Sequence, residues 1–248
     1  MTLRGTTSRW PVAALPGLAR QLHLLLPMTH TLKAVLLDVD GTLVDSNDAH
    51  ADAWTMAFAD HGITVDPALV RRCIGMGGDK LMPEVSGIEE DSPAGTAIAR
   101  RRGEIFTLEY LPTLQRFRGA DELVAVLKNR GLIVVAASSA QKDELKALLE
   151  VAGVSRLMDA ATSSDDAEDS KPAPDIIEAA LARAHAKPSE AVMVGDTPYD
   201  IEAAGRAGVR TIAFRSGGWN DGDLKGAIEI YDGAWDLLDH FINSTLAR

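Results

Sequence analysis

Four short stretches of this chain are apolar on nearly every residue and offer no polar face: Leu32–Leu37, Leu132–Ala137, Ala191–Val194 and Val209–Phe214. A strand that alternates apolar and polar residues can leave one face in water. A run without alternation must be covered on both sides, as in a parallel sheet. Helical stretches lie between these runs, at Ala120–Asn129, Asp143–Val151, Asp175–Ala186 and Tyr199–Arg206. Gly131, Gly153 and Gly208 stop three of them, and the pair Pro172 and Pro174 precedes the other. Strand alternating with helix at this spacing predicts an α/β fold of three layers around a parallel sheet.

One interval breaks the alternation. Residues 45–116 contain helical segments at Ala49–Asp60, Pro67–Cys73 and Ala94–Tyr110 and no convincing strand, which is too much for a loop. The expected organisation is therefore a Rossmann-like α/β core from residues 31–44 and 117–248. A helical cap of residues 45–116 stands over the carboxyl end of the first strand. Residues 1–30 differ again. They carry Arg4, Arg9 and Arg20 and no acid, so they hold +3 while the rest of the chain holds −14. Pro11, Pro16 and Pro27 break the segment before it reaches the apolar length of a secretory signal. It reads as a poorly ordered tail, or as an upstream start ahead of Met28; a targeting arm also fits its composition.

Composition narrows the function. With 25 Lys and Arg against 36 Asp and Glu, the net charge of −11 disfavours binding to a nucleic-acid backbone. One cysteine, Cys73, excludes a disulfide framework and a multi-cysteine zinc site; its apolar setting reads as inert core. No apolar run approaches the roughly 20 residues that span a bilayer. A cytoplasmic protein without membrane or nucleic-acid partners is expected, as monomer or homodimer.

Ligands of an open α/β sheet bind beyond the carboxyl ends of its strands, so the residues there matter most. The first strand ends in Asp38-Val-Asp40-Gly41-Thr42. Positions i and i+2 of an extended chain share a side, so both carboxylates face one pocket, and Gly41 permits a sharp exit. The second ends in Ser138-Ser139; a hydroxyl there caps the next helix or donates to an oxyanion. Lys171, ahead of Pro172, is either solvated or turned inward. The fourth strand ends in Gly195-Asp196-Thr-Pro-Tyr-Asp200, where Asp200 also suits a helix N-terminus. Clustered hard oxygen ligands suit Mg²⁺, and a lysine with hydroxyls suits phosphoryl oxygens. No glycine-rich phosphate loop followed by Lys-Ser or Lys-Thr occurs, which argues against a P-loop nucleoside triphosphatase.

Asp38-Val-Asp40-Gly41-Thr42, Ser138, Lys171-Pro-Ala-Pro-Asp175 and Gly195-Asp196-Thr-Pro-Tyr-Asp200 together resemble the four ordered motifs of the haloacid dehalogenase-like hydrolases. Over residues 32–240 the chain is similar to the branch holding phosphoglycolate phosphatases and β-phosphoglucomutases. The resemblance implies a Mg²⁺-dependent phosphatase acting on a small phosphorylated metabolite. Asp38 would be the nucleophile that forms an aspartyl-phosphate, and Asp40 the acid and base. The metal would be held by Asp38, the Asp40 carbonyl and Asp196, with Asp200 supporting. Thr42, Ser138, Ser139 and Lys171 would bind the phosphoryl group. In the cap, Ser46, His50, Gly77 and Lys80 would face the substrate, Gly75, Gly77 and Gly78 allowing close approach and Lys80 reaching a second charge. An acid at position 40 speaks against true dehalogenation. The mutases carry an arginine in the loop that is Ile74–Leu81 here, where this chain has glycine and lysine. A mutase remains the alternative, followed by a phosphonatase using Lys80 and by a non-catalytic binding protein. Arg100-Arg101-Arg102 reads as a solvated helix face.

Overall fold

In the computed structural model, which describes residues 32–247, six strands form one parallel sheet. They are β1 (Ala34–Leu37), β2 (Ile133–Ala137), β3 (Ala160–Thr162), β4 (Ala191–Gly195), β5 (Arg210–Phe214) and β6 (Glu229–Tyr231), in the order β3-β2-β1-β4-β5-β6. The segment 1–30 lies outside the described residues.

Alternation along the strands builds the three layers. Val35, Leu37, Val134, Ala136, Val192 and Val194 enter one apolar cluster, whereas Ala34, Leu36, Val135, Ala137 and Met193 enter the other. The first is covered by α5 (Ala120–Asn129), α6 (Lys142–Val151) and α9 (Ala234–Asp239). The second is covered by α7 (Asp175–Ala184) and α8 (Pro198–Arg206), through Ile176, Ile177, Ala180, Ala203 and Ala204. Complete burial of these side chains is the main driving force of the fold, at about 1.5–3 kcal/mol for each large aliphatic.

Between β1 and α5 the chain runs through α1 (Asn47–Asp60), α2 (Pro67–Cys73), α3 (Gly78–Ser86) and α4 (Pro93–Ile105). Its two crossings meet: Val44 bridges Arg116, Asp45 N–H donates to the Gln115 carbonyl at 3.0 Å, and Phe117 N–H to that of Leu43 at 2.9 Å. Trp54, Phe58, Met82, Ile98, Ile105 and Phe106 fill its interior, continuous with the first cluster, and Cys73 is buried there.

Three features depart from the sequence reading. Strands β3 and β6 have three residues each, form the two sheet edges and are half buried except at Thr162, so neither makes a legible apolar run. Helix α3 begins on a glycine and contains Pro83, which hides it. The helix expected to reach Tyr110 ends at Ile105, where the chain widens into a π-turn over Phe106–Tyr110.

Candidate active site

Leu37 of β1 is paired with Ala136 of β2 and Val194 of β4, so these strands finish level and deliver Asp38, Ser138 and Asp196 to one edge. Asp38 N–H donates to the Val194 carbonyl at 2.9 Å, the last rung before the chain turns. The turn closes through Leu43 N–H to the Val39 carbonyl at 2.8 Å, with Gly41 at φ 76°. A side chain at 41 would be strained by that backbone and would overlap Asn47 and Asp196. The glycine is thus what lets the β1 loop lie against the end of β4.

Lys171 sits at the centre and is 1% exposed. Its Nζ donates to Asp38 Oδ1 at 2.6 Å, Asp200 Oδ1 at 2.7 Å and the Ala137 carbonyl at 2.7 Å. An ammonium has three protons, and all are used. Lys171 therefore has no proton left for a ligand and bears on the cavity through its charge and by fixing Asp38. Asp200 has two tasks at once. Its Oδ2 accepts from Thr197 N–H and Oγ1 in the capping box that opens α8, while Oδ1 accepts from Lys171. Thr42 is fully buried, its hydroxyl donating to Asp196 Oδ1 at 2.9 Å and lying 3.2 Å from Asp38 Oδ2. Expected on the phosphoryl group, Thr42 instead ties two carboxylates together.

Asp40 points to the helical side. Its Oδ1 accepts from Ser46 Oγ at 2.5 Å and meets His50 Nε2 at 2.7 Å. His50 stacks on Phe106, ring centroids 4.0 Å apart, and its Nδ1 lies 2.7 Å from an Arg102 guanidinium nitrogen. A guanidinium can only donate, so Nδ1 accepts and the imidazole proton sits on Nε2, aimed at Asp40. Arg102 is itself held by Glu144 of α6 at 2.5 Å and lies over the Trp54 and Phe106 rings. It is therefore not part of a solvated face, although Arg100 and Arg101 are, paired with Glu104 and Asp60. Spacing held the missed signal: Ile98, Arg102 and Phe106 recur at i, i+4 and share the inward side.

Charge is out of balance here. Asp38, Asp196 and Asp200 bring carboxylate oxygens within 4.8 Å of one another, with Lys171 as the cation among them. Burial pushes the Asp38 carboxyl up to about 7; the Lys171 charge opposes this, and the charges of Asp200 and Asp40 add to it. Burial, then Asp38 and Asp200, push Asp196 well above the usual carboxylate range against hydrogen bonds from Asn47 and Thr42. For Asp40, burial is outweighed by the hydrogen bonds of His50 and the Ser46 hydroxyl and by the Arg102 charge, which hold it low. Buried acids in excess, all hard oxygen donors, fit a small divalent cation. A carboxyl whose folded pKa lies above its unfolded value keeps a proton that the unfolded chain has lost, so stability falls as pH rises between the two values. Metal-free protein should thus lose on the order of a few kcal/mol between about pH 4 and about 7, and a bound divalent cation should flatten the slope. Thermal melts with chelator and with Mg²⁺ measure this; a flat profile in chelator would contradict it.

A cavity of about 260 Å³ opens onto Asp38 and Asp40, lined further by His50, Gly77, Ser138 and Ser139. Ser138 Oγ accepts from Ala140 N–H at 3.1 Å, and Ser139 Oγ donates to the Gly75 carbonyl at 3.4 Å; the cap of α6 is Gln141, not Ser139. Gly77 packs so tightly on Ser170 that a Cβ there would overlap its hydroxyl. Lys80 is not in this cavity: it pairs outside with Asp169 and Asp79. Asn47, which donates to Asp196 Oδ2 at 2.9 Å, was not anticipated from the sequence, nor were Thr197, Glu144 and Ser170. Each acts through a contact made across the fold or within a turn.

Known proteins were compared with this chain. It is 37% identical over 75% of its length to "Protein SUPPRESSOR OF QUENCHING 1, chloroplastic" of Arabidopsis thaliana, but spans only 18% of that protein. It is 31% identical over 78% of its length to "Probable phosphatase IndB" of Dickeya dadantii, spanning 85% of it. A solved hydrolase from Pseudomonas syringae superposes with a TM-score of 0.80 at 26% identity, covering 85% of this chain and 98% of that one. The model for "Haloacid dehalogenase-like hydrolase" matches residues 35–214, from β1 to the end of β5. With these motifs converging at one sheet edge, the chain belongs to the haloacid dehalogenase-like hydrolase family.

Proposed function

We propose that this chain is a Mg²⁺-dependent phosphatase that hydrolyses a small phosphorylated metabolite, with Asp38 as nucleophile. One observation carries the reading: a buried carboxylate, held by an ammonium at 2.6 Å, lines a cavity together with a second carboxylate two residues on. A relative named as a phosphatase supports it. Asp38, the Asp40 carbonyl and Asp196 would hold the metal, with Asp200 supporting through Lys171; bound there, it would neutralise charge developing on the phosphoryl oxygens. Ser138 and Ser139 would bind those oxygens, and residues 45–116, with Ser46, His50 and Gly77, would act as the cap that selects the substrate. A cytoplasmic setting agrees with there being no helix, among the described residues, long and apolar enough to cross a membrane.

The chain's own groups divide the reaction. An Asp38 oxygen attacks phosphorus as the ester P–O bond breaks; Asp40, ionised in the free site, takes up a proton with the incoming phosphate monoester and passes it to the leaving oxygen. Water then attacks the acyl phosphate, gives its proton to Asp40, and releases phosphate and the Asp38 carboxylate. Asp40 Oδ1 is occupied by Ser46 and His50, which leaves Oδ2 for proton transfer. Asp40→Asn should therefore slow hydrolysis of alkyl phosphates by about 10²–10⁴. It should slow the transfer step from p-nitrophenyl phosphate far less, since that leaving group needs no proton; single-turnover rates compare the two.

A panel of phosphomonoesters assayed for phosphate release, with Mg²⁺ and with chelator, tests the function. Release is expected only with metal. Conversion of a sugar 1-phosphate to its 6-phosphate without free phosphate would favour a mutase instead, and turnover unaffected by chelator would refute the metal role.

A further inference from the structure

The lining of the cavity beyond Asp38 and Asp40 is acidic. Asp79, Glu90, Glu144 and Glu168 line it, and Arg102 is the one Lys or Arg among the lining residues. That guanidinium is held by Glu144 and by His50 Nδ1, with its Nε buried and without a hydrogen-bond partner among the described residues. Lys80, the other cation within reach by sequence, is turned outward to Asp169 and Asp79. Asp79 and Glu144 are paired with these two cations, whereas Glu90 and Glu168 have no ion-pair partner among the described residues, so a second anionic group on a substrate would meet an excess of carboxylates. Glu144 also has a buried Oε1 without a hydrogen-bond partner, an acceptor that calls for a donor. The wall's negative field is already felt by its own members: burial and then the Asp79 charge push Glu90 upward, with Arg102 opposing.

Resting on the phosphatase reading, we propose that this wall selects phosphate esters whose alcohol carries hydroxyl groups and no second anion, and favours those bearing a protonated amine. Lys171 and the hydroxyls of Ser138 and Ser139 favour an anion beside Asp38, whereas Glu90 and Glu168 tip the charge of the remaining lining to negative. Hydroxyls and ammonium groups donate to carboxylates, whereas a carboxylate or second phosphate there leaves like charges face to face.

Competitive inhibition of p-nitrophenyl phosphate hydrolysis by three matched sugar phosphates tests this with Mg²⁺ present. Glucosamine 6-phosphate carries an amine in place of the 2-hydroxyl of glucose 6-phosphate, and 6-phosphogluconate carries a carboxylate at C1 of an open chain. The inhibition constant should rise in that order, with 6-phosphogluconate weaker than glucosamine 6-phosphate by about 30-fold or more. In the double variant Glu90→Gln, Glu168→Gln this ratio should shrink by about threefold or more. Equal or tighter binding of 6-phosphogluconate would overturn the proposal while leaving the phosphatase reading intact. Absence of p-nitrophenyl phosphate hydrolysis by the wild-type chain would remove that reading and the proposal together.

Discussion

Asp38→Asn is expected to lower phosphate release by about 10⁴-fold or more while raising the melting temperature of the metal-free protein. The first effect follows because an amide oxygen is too poor a nucleophile to replace a carboxylate, and losing the nucleophile collapses the concerted machinery around it. The second follows from electrostatics. Asp38 is one of three buried acids sharing Lys171 and its surroundings, and its carboxyl is pushed up to about 7. The amide keeps an acceptor for Lys171 Nζ, now 2.6 Å from Oδ1, but removes the charge that burial penalises. Near pH 8 the gain should be on the order of a few kcal/mol, and the fall in stability between about pH 4 and about 7 should shrink to the part that Asp196 contributes. Melting curves with chelator, set beside phosphate release with Mg²⁺, check both halves. An active Asp38→Asn protein would end the nucleophile assignment; an unstabilised one would end the account of the charge imbalance.

Lys171→Met should damage both properties. It removes the counter-charge of Asp38 and Asp200 and leaves the Ala137 carbonyl without its donor. Breaking a buried ion pair from one side costs about 3–5 kcal/mol, because the partner charges stay behind without compensation. The Asp38 pKa should climb further, so the fraction present as nucleophile at neutral pH falls even in folded molecules. We expect a melting temperature many degrees lower in chelator, partial recovery of stability with Mg²⁺, and activity reduced by about 10²-fold or more with metal present. Denaturant unfolding and steady-state rates separate the two effects. Near-wild-type values for both would show that the ammonium is not the counter-ion the geometry makes it.

Much of this was legible before any coordinates. The apolar runs at β1, β2, β4 and β5 mark buried parallel strands because a two-sided environment admits no polar face. Acids at positions 38, 40 and 196 mark strand ends because that is where an open α/β sheet leaves room for a ligand. The edge strands β3 and β6 stayed hidden, since three residues, mostly half buried, impose no pattern. Lys171, which a lysine's usual exposure would leave in solvent, proved 1% exposed.

Roles that depend on partners far along the chain were beyond the sequence. Thr42 and Asn47 meet Asp196 only because the β1 loop folds against β4. Arg102 meets His50 and Glu144 only because α1, α4 and α6 converge. Lys80 turned away from the cavity for the same kind of reason, capturing Asp169 outside it. Local periodicity and strand-end chemistry are properties of neighbours in the chain, so residue order alone determined the α/β core and the acids set at its strand ends. Which hydrogen bond each polar group makes is settled by competition among partners that only the folded packing brings within about 3 Å, and that competition decided protonation, charge balance and the character of the cavity wall.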